Sequence, residues 1–175
     1  MKINSIDEYG LRILIRMGKE NAEEGLSISQ LSEMEGLSNA YVAKLTRLLK
    51  SGGMIHSTRG HKGGYILASD PKDMTINMIL KILGGNLYNT SFCEAHSGVN
   101  KFCNNSVDCT VRSLWKMVQK TMDNLLNQIT LADLISSERE SLSKMQSIFE
   151  KINQIDIIDN IIDLDTQSNH AKVVL

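Results

Sequence analysis

Near the N-terminus, apolar residues Ile6, Leu11, Leu14, Ile15 and Met17 recur at roughly helical spacing, with Asp7, Glu8, Arg12 and Arg16 between them. The pattern predicts an amphipathic helix over about residues 5–20, ended by Gly18 or by the polar stretch NAEEG. A shorter stripe at Ile28, Leu31 and Met34 follows Ser27 and Ser29, either of which can cap it, and Gly36 supplies its stop. Ser38 then caps a third helix, NAYVAKLTRLLKSGG, whose Val42, Leu45, Leu48 and Leu49 point one way while Asn39, Lys44, Arg47 and Lys50 point elsewhere. Two short helices joined by a tight glycine turn make a helix-turn-helix. The period then changes: MIHSTRG and GYILAS are short and alternating, and HKGG between them has the flexible residues of a hairpin turn. These predict a two-stranded wing.

Past the wing, Thr75 is placed to cap a helix carrying Ile76, Ile79, Leu80 and Leu83, which two glycines terminate. A polar loop intervenes. From about Thr110 the stripe Val111, Leu114, Trp115, Val118, Met122, Leu125, Leu126 and Ile129 holds helical register, the cleanest periodicity in the chain, and predicts a long helix. Thr130 can cap a short helix, and after a break near ISSE a longer one carries Ile148, Ile152, Ile155, Ile158 and Ile162 against exposed Asp156, Asp159 and Asp163. This last helix either packs on its own chain or serves in dimerisation.

With 175 residues and 42% hydrophobic content the chain fits one domain, or a small domain with an appendage, and has apolar residues for an ordinary core. Its formal net charge of −1 hides a segregated distribution. Between Gly36 and Ser69 there is no aspartate or glutamate, yet Lys44, Arg47, Lys50, Arg59 and Lys62 fall there with His56 and His61. Such a patch suits the dense phosphate charge of double-stranded DNA, each neutralised phosphate adding roughly 0.9 to the salt slope of binding. In a winged helix-turn-helix the second helix enters the major groove, which nominates Ser38, Asn39, Tyr41 and Lys44 for base edges. Arg47 and Lys50 extend the same positive helix, Lys50 as a phosphate contact, and Arg59, with His61 and Lys62, belongs to a wing near the minor groove. The competing reading of the lysines is a solvated face that touches nothing, and Tyr41 could equally pack against the first helix.

No run of eighteen apolar residues occurs, and the charged N-terminal stretch lacks the apolar block of a signal peptide, so a soluble cytoplasmic protein without a membrane partner is expected. All three cysteines, Cys93, Cys103 and Cys109, sit in the loop SFCEAHSGVNKFCNNSVDCT. An odd number cannot all pair within one chain, and in a reducing compartment clustered thiols more often mean metal or redox chemistry than structural disulfides. Thiolates are soft ligands for iron-sulfur clusters or zinc. Zinc held by the three cysteines and His96, or a metal-free thiol switch, are the alternatives. A cysteine-based redox enzyme has little support: no phosphate-cradling glycine loop or paired-carboxylate context accompanies the thiols.

The segment SNAYVAKLTRLLKSGGMIHSTRGHKGGYILA resembles the recognition helix and wing of the IscR/NsrR-type winged helix-turn-helix iron-sulfur transcription regulator family, and RGHKGGYILA is its more specific part. The likeness runs over roughly residues 1–136, through TINMILKILGG, the cysteine loop and the helix ending in NQITLADL. It implies a mainly α fold: a winged helix-turn-helix with a small two-stranded wing, a long dimerisation helix and, beyond the usual extent of the family, an additional C-terminal helical segment. The implied division is 1–72 for DNA binding, 73–136 for the cysteine loop and dimerisation helix, and 137–175 for an extension of unknown role.

The resemblance further implies an iron-sulfur cluster, 2Fe-2S or 4Fe-4S, on Cys93, Cys103 and Cys109. Their spacing, Cys-x9-Cys-x5-Cys, has a longer first interval than the family's usual five residues. In one branch of the family a histidine three residues after the last cysteine completes the site, but here that residue is Arg112, which cannot serve. In the nitric-oxide-sensing branch a carboxylate on helix one of the partner chain does so, and aligning YGLRIL places Glu8 there, with Asp7 and His96 as lesser candidates. The implied protein is a homodimeric transcription regulator that senses redox state, nitric oxide or iron-sulfur supply. Pairing along Val111 to Ile129 would set two recognition helices about 34 Å apart on a near-palindromic operator.

Overall fold

A computed structural model of the chain describes residues 4–58, 63–85, 88 and 108–152. The chain divides after Ser136 into two compact units. The first contains α1 (Ser5–Glu20), α2 (Ile28–Glu35), α3 (Asn39–Ser51), β1 (Ile55–Ser57), β2 (Tyr65–Leu67), a 3-10 turn (Pro71–Asp73), α4 (Ile76–Leu83), α5 (Thr110–Asn127) and α6 (Leu131–Ile135). In the second, residues 138–152 are helical.

Helix boundaries follow local chemistry. Asn4 caps α1 with its side-chain oxygen, which accepts from the N–H groups of Ile6 and Asp7 at 2.8 and 2.9 Å. Ser27, not Ser29, caps α2, and Gln30 reaches back to the Ser27 N–H at 2.9 Å in a reciprocal capping box. Gly36 ends α2 at φ 65°, a left-handed conformation that costs a residue without a Cβ nothing, and this turns the chain into α3 within three residues. Ser38 and Thr75 cap α3 and α4 as expected. At Thr130 the capping is inverted, because Asp133 reaches back to accept from both the N–H and the hydroxyl of Thr130 at 2.9 and 2.8 Å.

Ile13, Leu14, Leu31, Val42, Leu45, Leu49, Ile55, Met74, Ile79 and Leu131 are fully or almost fully buried and form the core shared by α1 to α4, β1 and α6. In α1 the inward face is Gly10, Ile13, Leu14 and Met17, whereas Ile6, Leu11 and Ile15 are only half-buried. The predicted stripe was therefore rotated. In α2 only Leu31 of the expected stripe is buried; Met34 is exposed and Glu35 takes the inward position.

β1 and β2 pair antiparallel with Ile55 opposite Leu67 and Ser57 opposite Tyr65. Leu26, in the α1–α2 connection, bridges the free edge of β2 through two hydrogen bonds with Tyr65, of 3.0 and 2.9 Å. Gly64 lies so close to that connection that a Cβ on it would fall 2.7 Å from the Gly25 carbonyl carbon. Only glycine allows two backbones this near. Thr58 ties the wing's base: its hydroxyl donates to the Glu24 carbonyl at 2.9 Å and accepts from the Gly64 N–H at 2.9 Å. A second bridge, Thr75 with Thr130, joins the start of α4 to the start of α6.

Candidate functional site

Two regions carry the candidate chemistry. In the first, α3 sits behind the glycine turn with Ser38, Asn39, Lys44, Arg47 and Lys50 all exposed. Among the described residues neither Lys44 nor Arg47 forms an ion pair, so both cations face solvent uncompensated. Lys50 donates to the Ser57 hydroxyl at 3.1 Å, linking the last turn of α3 to β1. Arg59, His61 and Lys62 lie outside the described residues.

Tyr41 points differently from its neighbours. It is half-buried, its ring meets Tyr9 of α1 edge-on with centroids 5.9 Å apart at 85°, and its hydroxyl donates to the Ser5 hydroxyl at 3.2 Å. The guanidinium of Arg12 lies 5.5 Å from the Tyr9 ring centre. Arg12 and Arg16 also donate through their Nε–H groups, at 2.9 Å each, to the two oxygens of Glu35. The Glu35 side chain is 3% exposed, and its hydrogen bond with Arg16, aided by its charge, holds that guanidinium above its ordinary range. This clasp was not anticipated from the sequence. Its signal was there: Arg12 and Arg16, one helical turn apart, share a face, and Glu35 lies one turn after Leu31 on the buried face of α2.

The second region flanks the segment that carries the cysteines. Of the three cysteines Cys109 is described, and Cys93, Cys103 and His96 lie outside the described residues. Cys109 caps α5, its sulfur accepting from the Arg112 N–H at 3.3 Å. The position three residues on is thus held beside the sulfur by helix geometry, though an arginine occupies it. Among the described residues no three metal-ligating side chains converge.

The two carboxylates of the first turn of α1 face different environments. Glu8 is exposed. Asp7 is buried, and among the described residues its Oδ1 has no hydrogen-bond partner. Burial pushes its carboxyl up, against a smaller lowering by its bond to Asn4. It lies at the exit of α4, where a Cβ on Gly85 would come 3.0 Å from Oδ1.

α5 is joined to α4 by polar contacts: Lys81 to Asp123 at 3.1 Å and Asn77 to Asn127 at 2.9 Å, with Gln119 accepting from the Tyr88 N–H at 2.9 Å. The first part of its apolar stripe is exposed in the single chain, with Val111 59% and Trp115 43% exposed, whereas Val118, Met122, Leu125 and Leu126 are half-buried and Ile129, beyond the end of the helix, is buried. No described helix is long and apolar enough to cross a membrane.

Comparisons with known proteins agree with this architecture. The profile of the Rrf2 family, described as an iron-dependent transcriptional regulator, matches residues 3–137. Protein rrf2 of Nitratidesulfovibrio vulgaris is 32% identical over 135 residues, covering 77% of this chain and 87% of that protein. The solved structure of T. potens IscR superposes with a TM-score of 0.59 at 29% identity, covering 77% of this chain and 86% of the other. That of CymR, the global cysteine regulator of B. subtilis, gives 0.58 at 28% identity, covering 77% and 96%. The winged helix-turn-helix of α2, α3 and the hairpin, together with a profile match over residues 3–137, establishes that this chain belongs to the Rrf2 family and is a DNA-binding transcriptional regulator, not an enzyme.

Proposed function

We propose that the chain acts as a cytoplasmic homodimer that docks α3 in the major groove of a near-palindromic operator and adjusts its grip through an iron-sulfur cluster. The observation that carries the docking is the exposed, uncompensated cationic face of α3 behind its Ser38 cap. Ser38, Asn39 and Lys44 are assigned to base edges, Arg47 and Lys50 to phosphates, and Arg59, His61 and Lys62 to the groove beside the wing. Tyr41, packed on Tyr9, is treated separately below. The exposed apolar cluster of Val111, Leu114, Trp115 and Met117 on α5 supports dimerisation, since monomeric proteins seldom leave a large contiguous apolar patch in water.

Cys93, Cys103 and Cys109 would hold the cluster, thiolate being the ligand class that iron-sulfur centres take. Glu8 would complete it from the partner chain, and its exposure on the outer side of α1 leaves it free to do so. Asp7 is the lesser candidate, turned instead toward the α4 exit of its own chain. When bound, the cluster would supply a redox- and nitric-oxide-sensitive centre, and a carboxylate is a poorer match to its iron than thiolate, which makes that link the easier one to displace. A metal-free thiol switch is the second reading, favoured by the half-buried Cys109 that caps the start of α5.

Anaerobic purification with visible absorption and iron and sulfide analysis tests the cluster. A colourless protein with stoichiometric zinc refutes it. Glu8→Ala shortens the lifetime of the cluster if Glu8 is the ligand, and an unchanged spectrum and lifetime removes that assignment alone. Duplex binding against salt with Arg47→Ala and Arg59→Ala tests the docking, and unchanged binding by both refutes it.

A further inference from the structure

We infer that Tyr41 is a positioning residue and not a DNA contact: α1 aims the recognition helix by gripping the helix-turn-helix on both sides of its turn, through Tyr9 and Ser5 on Tyr41 and through Arg12 and Arg16 on Glu35. The inference rests on the docking of α3 proposed above and is independent of the cluster.

The turn comprises Gly36, Leu37 and Ser38, and its two flanks are both tied to the same face of α1. Before the turn, Glu35 ends α2 with both carboxylate oxygens taken by Arg12 and Arg16. After it, Tyr41 sits one helical turn into α3, with its ring on Tyr9 and its hydroxyl on Ser5. Arg12 belongs to both grips, because its guanidinium lies over the Tyr9 ring while its Nε–H holds Glu35. The base-reading candidates Ser38 and Asn39 lie between Glu35 and Tyr41. A rotation of α3 about its axis would have to break the tyrosine pair, and a shift along α1 would have to break the carboxylate clasp. Ser38 itself accepts from the Tyr41 N–H at 3.3 Å, so the cap that starts α3 and the tyrosine that anchors it are parts of one turn.

Two consequences distinguish aiming from touching. A side chain that contacts DNA contributes by itself, whereas one that acts through Tyr9 loses its effect once Tyr9 is gone. Misaim also harms base reading more than phosphate attraction, because base edges need a fixed register while the charge term does not.

The test is a double-mutant cycle of Tyr9→Leu and Tyr41→Leu. Binding is measured to a duplex selected by the wild-type chain from a random pool, and to a random-sequence duplex of equal length. Each single variant is expected to lower the selected-to-random affinity ratio roughly two- to tenfold, the range of an aromatic pair. Random-duplex affinity and salt slope stay as in wild type, the double variant is no worse than the poorer single, and Tyr41→Phe, which keeps the ring, retains most of the ratio. Multiplicative losses in the double variant overturn the inference, as does a Tyr41→Phe variant as poor as Tyr41→Leu, or an unchanged ratio throughout. Arg47→Ala run alongside separates the failures: if it too is silent, the docking of α3 is wrong, and if it weakens binding while the tyrosines do not, only the positioning role falls. Methionine replacements, unbranched and more adaptable, repeat the cycle if a leucine variant does not fold.

Discussion

Replacing Glu35 by glutamine keeps the size of a side chain held between two cations and removes its charge. Its two oxygens accept from Arg12 and Arg16 at 2.9 Å each, and its side chain is 3% exposed. A hydrogen bond to a charged group is worth about 1.5–3 kcal/mol net. Glutamine keeps one acceptor for one arginine and turns an N–H toward the other, so one bond is weakened and the second is lost. The arginine side chains are 46% and 35% exposed, so water recovers part of that loss. The expected destabilisation is roughly 1–3 kcal/mol, well below the ~3–5 kcal/mol for breaking a pair buried on both sides. Urea unfolding followed by far-ultraviolet circular dichroism measures it as a lower midpoint at unchanged slope. The wild-type margin should survive moderate salt, because one partner is shielded from it. A change below about 0.5 kcal/mol, the size of an ordinary surface substitution, would refute the clasp as a stabilising element.

Gly64→Ala pushes a methyl group into the Gly25 backbone and should lower thermal stability by about 1–3 kcal/mol, the usual cost of overpacking, and an unaltered melting temperature would deny the close approach. Ile79→Ala empties a fully buried site and should cost about 2–5 kcal/mol by denaturant midpoint. Asp123→Ala removes the partner of Lys81 and of Gln119, and should speed amide exchange at the α4–α5 junction while costing only about 1 kcal/mol, since Lys81 is largely exposed. Val111→Lys with Trp115→Lys places charges on the exposed part of the α5 stripe and, for the homodimer proposed above, should shift sedimentation from dimer toward monomer; an unmoved profile would refute pairing through this part of α5.

The boundaries of the elements were legible because capping and turn chemistry are local. Ser38 and Thr75 begin helices and Gly36 ends one for reasons contained within a few residues. Which face of each helix turns inward was less so. In α1, Ile13 and Gly10 are buried while Leu11 and Ile15 are only half so, because hydrophobicity ranks residues but the position of α4 and α6 selects among them. The spacing of Glu35 from Leu31 hinted at an inward position, but its type argued for solvent, since its burial depends on two arginines 19 and 23 residues away. For Tyr41 the sequence left two readings open, a base contact or packing on the first helix, and its ring meets Tyr9 while its hydroxyl donates to Ser5.

The sequence by itself determined the order of the described helices and the hairpin, the segregation of positive charge between Gly36 and Ser69, and the grouping of the thiols in one polar segment. Those properties depend on period, composition and neighbours along the chain. Only the tertiary structure decided that α1 clasps both flanks of the helix-turn-helix turn, that Asp7 is buried while Glu8 is exposed, and that α5 exposes the first part of its apolar stripe while half-burying the rest. Each depends on which surfaces meet across distant parts of the chain, and a side chain's energy is set by what it meets there, not by its type alone.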